Sequence, residues 1–177
     1  MKLIILDRDG TINHDSDDFI KSPEEWKPIK GSLEGIARLT QAGYRIAVAT
    51  NQSGIARGKL DTRTLFAIHD TLNRALAQVG GRIDAFFFCP HAADAGCQCR
   101  KPQPGMLLEA GRRFNVALDE TYMVGDALRD LQAAAAAGAK PVLVLTGKGA
   151  KTKTEGGLPP GTRIFPDLAA FAEQLAP

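Results

Sequence analysis

Apolar and polar positions along the chain alternate in blocks: a short unbroken apolar run, a polar break, then a stretch with apolar residues at helical spacing. Leu3 to Leu6 is the first run, too brief for a helix and without alternation, as expected of a strand buried on both faces. A polar segment from Asn13 to Lys30 leads to a helix that Ser32 can cap, with Leu33, Ile36, Ala37 and Leu39 on one side and Gly43 as its stop. Tyr44 to Ala49 predicts the next strand. Asp61 then caps a long amphipathic helix carrying Leu65, Ile68, Leu72, Leu76 and Val79, ended by Gly80 and Gly81, and Ala85 to Phe88 predicts a third strand. Further on come a helix from Pro104 and Gly105 to about Phe114, a strand at Tyr122 to Val124, an alanine-rich helix from Leu128 to Ala137 closed by Gly138, a strand at Val142 to Leu145, and a last helix from Asp167 to Leu175.

Such an order predicts an α/β chain: a doubly wound, mainly parallel, Rossmann-like sheet with helices on both faces and no large cap domain. Parallel strands need crossover helices, and these must cover the sheet. Neither an internal repeat nor a linker divides the sequence, so one domain over residues 1–177 is expected. Ligands of such sheets bind outside the carboxyl ends of the strands. Gly147 to Gly161, with Lys148, Lys151 and Lys153, reads as a mobile surface loop with solvated lysines.

Composition narrows the choice of partners. With 22 Lys and Arg against 20 Asp and Glu in 177 residues, the formal net charge is +2, which gives no basic track for nucleic acid and no hold on an anionic membrane. The apolar start is cut by Asp7, Arg8 and Asp9 long before a signal-peptide core or a span of about 20 residues could form, so a cytoplasmic protein is expected. The 3 cysteines all lie between Cys89 and Cys99, which suits a metal cluster in a reducing compartment better than a disulfide framework.

Asp7-Arg8-Asp9-Gly10-Thr11 directly follows the first strand, Thr50-Asn51-Gln52-Ser53-Gly54 the second, and Gly125-Asp126 the fourth. Any one of these is an ordinary polar turn. Together they would gather Asp7, Asp9, Asp126 and Asp130 at one sheet edge, where the carboxylates raise one another's pKa values unless a cation compensates them. Oxygen ligands without nearby histidine select a hard ion, and Mg2+ fits best because it accepts one or two carboxylates plus a substrate phosphate. Thr50 to Ser53 offers a hydroxyl and backbone N–H groups to phosphate oxygens, and Lys101 could balance the negative charge.

In order, Asp7-Arg8-Asp9-Gly10-Thr11, Thr50 to Ser53, Lys101, and Gly125-Asp126 with Asp130 resemble the four motifs of the haloacid-dehalogenase-like (HAD) phosphatases. The resemblance implies that Asp7 attacks phosphorus, Asp9 serves as general acid and base, and Thr50 and Lys101 stabilise the phosphoryl group. It further implies Mg2+ on Asp7, the backbone carbonyl of Asp9, and Asp126. Asp130 then stands behind the metal ligands, although an exposed helix acid is an equally good reading of it.

Cys89-Pro90-His91 and Cys97-Gln98-Cys99 place four soft ligands in two i, i+2 pairs. Residues two apart in extended backbone point the same way, so each pair can pinch one ion, and a Cys3His set matches a closed tetrahedral Zn2+ site that serves folding. Arg100 and Lys101 follow at once. Arg100 reads equally as a clamp for a second anionic group on the substrate and as a solvated side chain. Within the superfamily, this loop 89–99 and its Arg-Lys-Pro continuation, with Thr50 to Gly58, resemble the heptose-bisphosphate phosphatases. That implies a small sugar bisphosphate as substrate, with Arg100, Asn51, Gln52 and Ser53 on its phosphates and Asp15, Ser16, Asp17 and Asp18 near its hydroxyls. The stretch between His91 and Cys97 is shorter than in some of those proteins.

Histidinol-phosphate phosphatases share the motifs, but their substrate carries an amine that Arg100 would repel. A phosphoryl-accepting signalling domain with a zinc docking loop would have no use for Asp9 as acid and base, and a nucleic-acid 3′-phosphatase would need a basic track. His14 and His69 take no part in this chemistry, Trp26 and Phe19 pin the polar segment to the body, and a monomer is expected.

Overall fold

The computed structural model describes residues 1–177. Its strands are β1 (Lys2–Leu6), β2 (Tyr44–Asn51), β3 (Ala85–Cys89), β4 (Tyr122–Gly125), β5 (Lys140–Val144) and β6 (Arg163–Phe165), all parallel in the order β3-β2-β1-β4-β5-β6. The helices are α1 (Ser32–Gln41), α2 (Thr62–Gln78), α3 (Gly105–Phe114), α4 (Leu128–Ala137), α5 (Gly149–Glu155) and α6 (Leu168–Leu175). The doubly wound sheet read from the sequence is therefore present.

β1 sits at the centre and its side chains alternate between two cores. Ile4 and Leu6 join Ile36, Leu65, Leu72 and Phe171 under α1, α2 and α6, whereas Leu3 and Ile5 join Met106, Leu107, Ala133 and Ala134 under α3 and α4. Burial on both sides explains why the strand reads as a continuous apolar run. Leu6 pairs with Val48 on one side and Val124 on the other, so β1, β2 and β4 end level with one another. The order also reverses direction at β1 and β4, the point where open sheets leave a crevice.

Several boundaries differ from those the pattern predicts. Ser32 does not cap α1: Gly31 does, at φ 81°, and the Ser32 hydroxyl donates instead to the Ile12 carbonyl at 2.6 Å, tying the polar segment to the helix start. β2 continues to Asn51, and β6 is an additional short edge strand. The segment read as a mobile loop contains α5. It lacks an apolar stripe, and its order comes from tertiary hydrogen bonds: the Thr152 hydroxyl donates to the Asp126 carbonyl at 2.8 Å, and the Lys148 N–H donates to Asp126 Oδ2 at 2.8 Å. Gly149 packs so closely on the end of β5 that a Cβ would lie 1.8 Å from the Val144 carbonyl oxygen. Trp26 is buried, as expected of a residue that pins the polar segment, and Phe19 lies beneath the Arg57 guanidinium at 5.9 Å.

Candidate active site

Asp7 is the first residue beyond β1, and its N–H donates to the Val124 carbonyl at 2.8 Å, so backbone pairing itself sets the carboxylate at the crevice. Asp7 Oδ1 accepts from Lys101 Nζ at 2.9 Å and from the Arg8 N–H at 2.8 Å. Lys101 is fully buried, and it also lies 2.7 Å from Asp130 Oδ1 and donates to the Ala49 carbonyl at 2.7 Å. Its ammonium thus has three oxygen partners, which compensates the desolvation that a buried charge suffers. Burial works against its charge, yet Asp130 and Asp7 prevail and raise its pKa.

Asp126 follows β4, and with Asp7 and Asp130 it offers carboxylate oxygens that all lie within 4.8 Å of one another. The chain is stripped of side chains around it. A Cβ on Gly10 would meet Asp126 Oδ2 at 2.1 Å and one on Gly147 at 2.3 Å, and both glycines have positive φ, 83° and 55°. Asp130 is buried, not the exposed helix acid; its Oδ2 accepts from the Ala127 N–H at 3.0 Å and caps α4.

The cluster is short of positive charge. Burial, then the neighbouring carboxylates, pushes Asp7 up to about 6 and Asp126 up to about 8, although Lys101 opposes the shift at Asp7. An oxygen-only set with two carboxyls driven toward protonation is suited to a hard divalent cation, so the residues fit Mg2+.

Asp9 is held differently. Its Oδ1 accepts from Arg8 Nε and Asn13 Nδ2, each at 2.9 Å, and its Oδ2 accepts from Gln52 Nε2 at 3.2 Å. Burial works to raise its pKa, but the Arg8 charge and these hydrogen bonds outweigh it and hold the pKa below the ordinary carboxylate range. Gln52 Nε2 also donates to the buried Thr50 hydroxyl at 2.9 Å. Asn51 exchanges two hydrogen bonds with the Lys101 backbone, both 3.0 Å, and so fixes the lysine instead of presenting its amide to a ligand. Asp15 pairs with Lys148 at 3.5 Å on the rim, whereas Asp18 is turned to Lys21 and Lys59. Lys148, predicted to be merely solvated, thus touches two acids of the site, the buried Asp126 through its N–H and Asp15 on the rim through its ammonium.

Cys89, His91, Cys97 and Cys99 converge as well, with their ligand atoms within 4.8 Å of one another. The closest approaches are 3.0 Å between the Cys99 and Cys89 sulfurs and 3.2 Å between His91 Nδ1 and the Cys99 sulfur. The Arg100 backbone amide leads the interactions that bring the Cys97 thiol down to about 6, while burial pushes Cys89 up to about 12. Four soft ligands in a closed group, with one thiolate already favoured and another that needs a cation, fit Zn2+.

Beside the loop lies a cavity of about 350 Å3 bordered by Arg100, Lys101, Gln103 and Arg129. Arg100 has a buried NH1 and Arg129 a buried Nε, neither with a hydrogen-bond partner. Sequence reasoning missed Arg129, which in the chain looks like any exposed helix cation; its place in the first turn of α4, three residues after Asp126, is the only available signal. A larger cavity of about 680 Å3 between α1 and α6 contains none of the strand-end carboxylates.

Comparison with known proteins bears on this geometry. The HAD-hydrolase-like family profile matches residues 98–171. A D-glycero-β-D-manno-heptose-1,7-bisphosphate 7-phosphatase of Bordetella bronchiseptica is 63% identical over 175 residues, 99% of this chain and 98% of the relative. The chain belongs to this family of phosphatases. A member from Pseudomonas putida is 54% identical over 99% of both chains. The crystal structure of the B. bronchiseptica D,D-heptose 1,7-bisphosphate phosphatase, complexed with magnesium and phosphate, superposes with a TM-score of 0.97 over 99% of this chain and 98% of that one. The corresponding phosphatase of Burkholderia thailandensis, 52% identical over 99% and 98% of the two chains, gives 0.80.

Proposed function

We propose that this chain is a Mg2+-dependent phosphatase that removes the 7-phosphate of D-glycero-D-manno-heptose 1,7-bisphosphate through a phosphoryl-aspartate on Asp7. The observation that carries the reading is the arrangement around Lys101: its ammonium holds Asp7 in a carboxylate cluster, and the preceding residue, Arg100, opens with Arg129 onto a cation-lined cavity suited to a second phosphate. The names and the bound magnesium and phosphate of close relatives support it.

Asp7, Asp126 and the backbone carbonyl of Asp9 would hold Mg2+, which when bound would offset the carboxylate and phosphate charges. Lys101 and Arg8 N–H occupy Oδ1 of Asp7, leaving Oδ2 to attack phosphorus. The bond from phosphorus to the carbon-7 oxygen breaks, and Asp9, ionised in the free protein but carrying a proton taken up when the phosphate anion binds beside it, gives that proton to the oxygen. Asp9, now a carboxylate, takes a proton from water, whose oxygen attacks phosphorus; the bond to Asp7 breaks and phosphate leaves. Thr50 and Lys101 stabilise the phosphoryl oxygens, and Ser53 and Gln52 border them. Arg100 and Arg129 take the phosphate on carbon 1, while Asp15, with Ser16, Asp17 and Asp18 on the same segment, meets the sugar.

Cys89, His91, Cys97 and Cys99 would hold Zn2+, which when bound would tie down loop 89–99 and with it the backbone of Arg100; four protein ligands would leave it a structural role. The whole chain acts as one domain over 1–177, a monomer working in the cytoplasm. No helix is long and apolar enough to cross a membrane. Two arginines beside the site disfavour the amine of histidinol phosphate.

Phosphate release from both anomers of heptose 1,7-bisphosphate, fructose 1,6-bisphosphate, histidinol phosphate and a 3′-phosphorylated oligonucleotide, with and without Mg2+, tests the reading. The heptose bisphosphate should have the highest kcat/KM; preference for histidinol phosphate, or no turnover of any of them, would overturn it.

A further inference from the structure

Behind Asp9 lies a pair of buried side chains that the mechanism above does not use. Arg8 follows the nucleophile in the chain but turns its side chain into the protein, where it is completely buried. Its Nε donates to Asp9 Oδ1 at 2.9 Å, its NH1 donates to His69 Nε2 at 3.2 Å, and its NH2 has no partner. A guanidinium has only donors, so His69 Nε2 must accept and the ring proton sits on Nδ1. The imidazole comes from α2, is 5% exposed, and stacks on Phe86 with centroids 4.1 Å apart and planes 11° from parallel. That stack sets the ring plane and hence the direction of the Nε2 lone pair. Burial first, and the Arg8 charge second, push its pKa down to about 3, so the ring stays a neutral acceptor.

We propose that His69 is a positioning residue: stacked on Phe86, it fixes the Arg8 guanidinium, which with Asn13 holds Asp9 Oδ1, so that Oδ2, bound only by the longer 3.2 Å contact from Gln52, exchanges a proton with the leaving group. The inference rests on the reading of Asp9 as general acid and base. Without the imidazole, NH1 and NH2 would both be buried and unpaired, a penalty that turning the guanidinium toward water relieves. The turn would slacken the contact between Nε and Oδ1 and let the Asp9 carboxyl swing. Proton delivery to an alkoxide depends on that alignment, whereas 4-nitrophenolate leaves without a proton.

The test compares kcat on heptose 1,7-bisphosphate and on 4-nitrophenyl phosphate for the wild type, His69→Phe, which keeps the stack and removes the acceptor, and His69→Gln, whose amide oxygen can accept from Arg8. His69→Phe should lower kcat about 30-fold on the sugar bisphosphate and about threefold on the aryl phosphate, and His69→Gln should recover most of both losses. The ratio of the two rates does not depend on the fraction of folded enzyme. Should His69→Phe yield no folded protein, His69→Asn, too short to reach Arg8, takes its place. Equal losses on the two substrates, or a glutamine variant no better than phenylalanine, would overturn the positioning role. A wild-type enzyme inactive on the bisphosphate would instead sink the phosphatase reading on which it rests.

Discussion

Without Mg2+, the protein should become more stable as the pH is lowered from 8 to 6, the reverse of ordinary acid destabilisation. Asp126 is pushed up to about 8, by burial first and then by Asp7 and Asp130. A carboxyl whose folded pKa lies above its unfolded value of 3.8 contributes stability below that value and loses it as the pH rises through the folded one. Each pH unit in that window is worth about 1.4 kcal/mol, so moving from pH 8 to pH 6 gains roughly 2 kcal/mol from Asp126 and a few tenths more from Asp7. His69 acts oppositely: its folded pKa is lowered, so below its ordinary value of 6.5 the unfolded chain takes the proton, at a cost of about 1 kcal/mol by pH 6. The net gain of roughly 2 kcal/mol should raise Tm by about 4 to 8 °C in a chain of this size. Scanning calorimetry in magnesium-free buffer without chelator, which leaves zinc in place, measures it. Saturating Mg2+ requires both carboxylates ionised, so its stabilisation should be largest at pH 8 and shrink toward pH 6. A metal-free Tm that is flat or falls from pH 8 to pH 6, with a Mg2+ shift independent of pH, would refute the reasoning.

Lys101→Met keeps the length of the side chain but strands two buried carboxylates, Asp7 and Asp130; it should cost about 3 to 5 kcal/mol by urea unfolding and abolish turnover, and a loss under 1 kcal/mol would contradict the described pairing. Arg100→Ala and Arg129→Ala should each raise KM for the bisphosphate by about tenfold or more while changing KM for a sugar monophosphate little; equal effects on both substrates would remove the second-phosphate site. Elemental analysis should find about one zinc per chain, and Cys97→Ser should lose both metal and fold; a zinc-free wild type would discard that site. Gly147→Ala would drive a Cβ to 2.3 Å from Asp126 Oδ2 at a positive φ, so it should displace that carboxylate and lower kcat at least about tenfold; wild-type kinetics would show the crevice to be roomier than described.

Much of the fold was legible because burial on both faces leaves strands as uninterrupted apolar runs, and helices between them carry one-sided stripes. Leu128–Ala137 falls on its predicted bounds, since Gly138 adopts the αL conformation at its end. α5 was not legible: its order comes from Thr152, Lys148 and Gly149 packing on Asp126 and β5, contacts that exist only once the sheet has formed. The acidic residues and the Cys3His set stand out because their types and spacings recur at strand ends and in one short loop. The directions of their neighbours do not. Arg8 between two aspartates reads as a turn residue, yet it is buried against His69, and Asn51 looks like a ligand group but braces the Lys101 backbone. Asp130 and Arg129 are adjacent on α4, and only the angle at which that helix leaves β4 decides that one is buried on Lys101 and the other lines the cavity.

Covalent capture of the nucleophile tests the central claim most directly. Enzyme turning over heptose 1,7-bisphosphate with Mg2+ is acid-quenched within milliseconds, reduced with borohydride to convert any acyl phosphate to homoserine, and mapped by peptide mass spectrometry. Homoserine should appear at position 7 and depend on both substrate and Mg2+. Homoserine at Asp9, Asp126 or Asp130, or a burst of phosphate with no modified residue at all, would contradict the account.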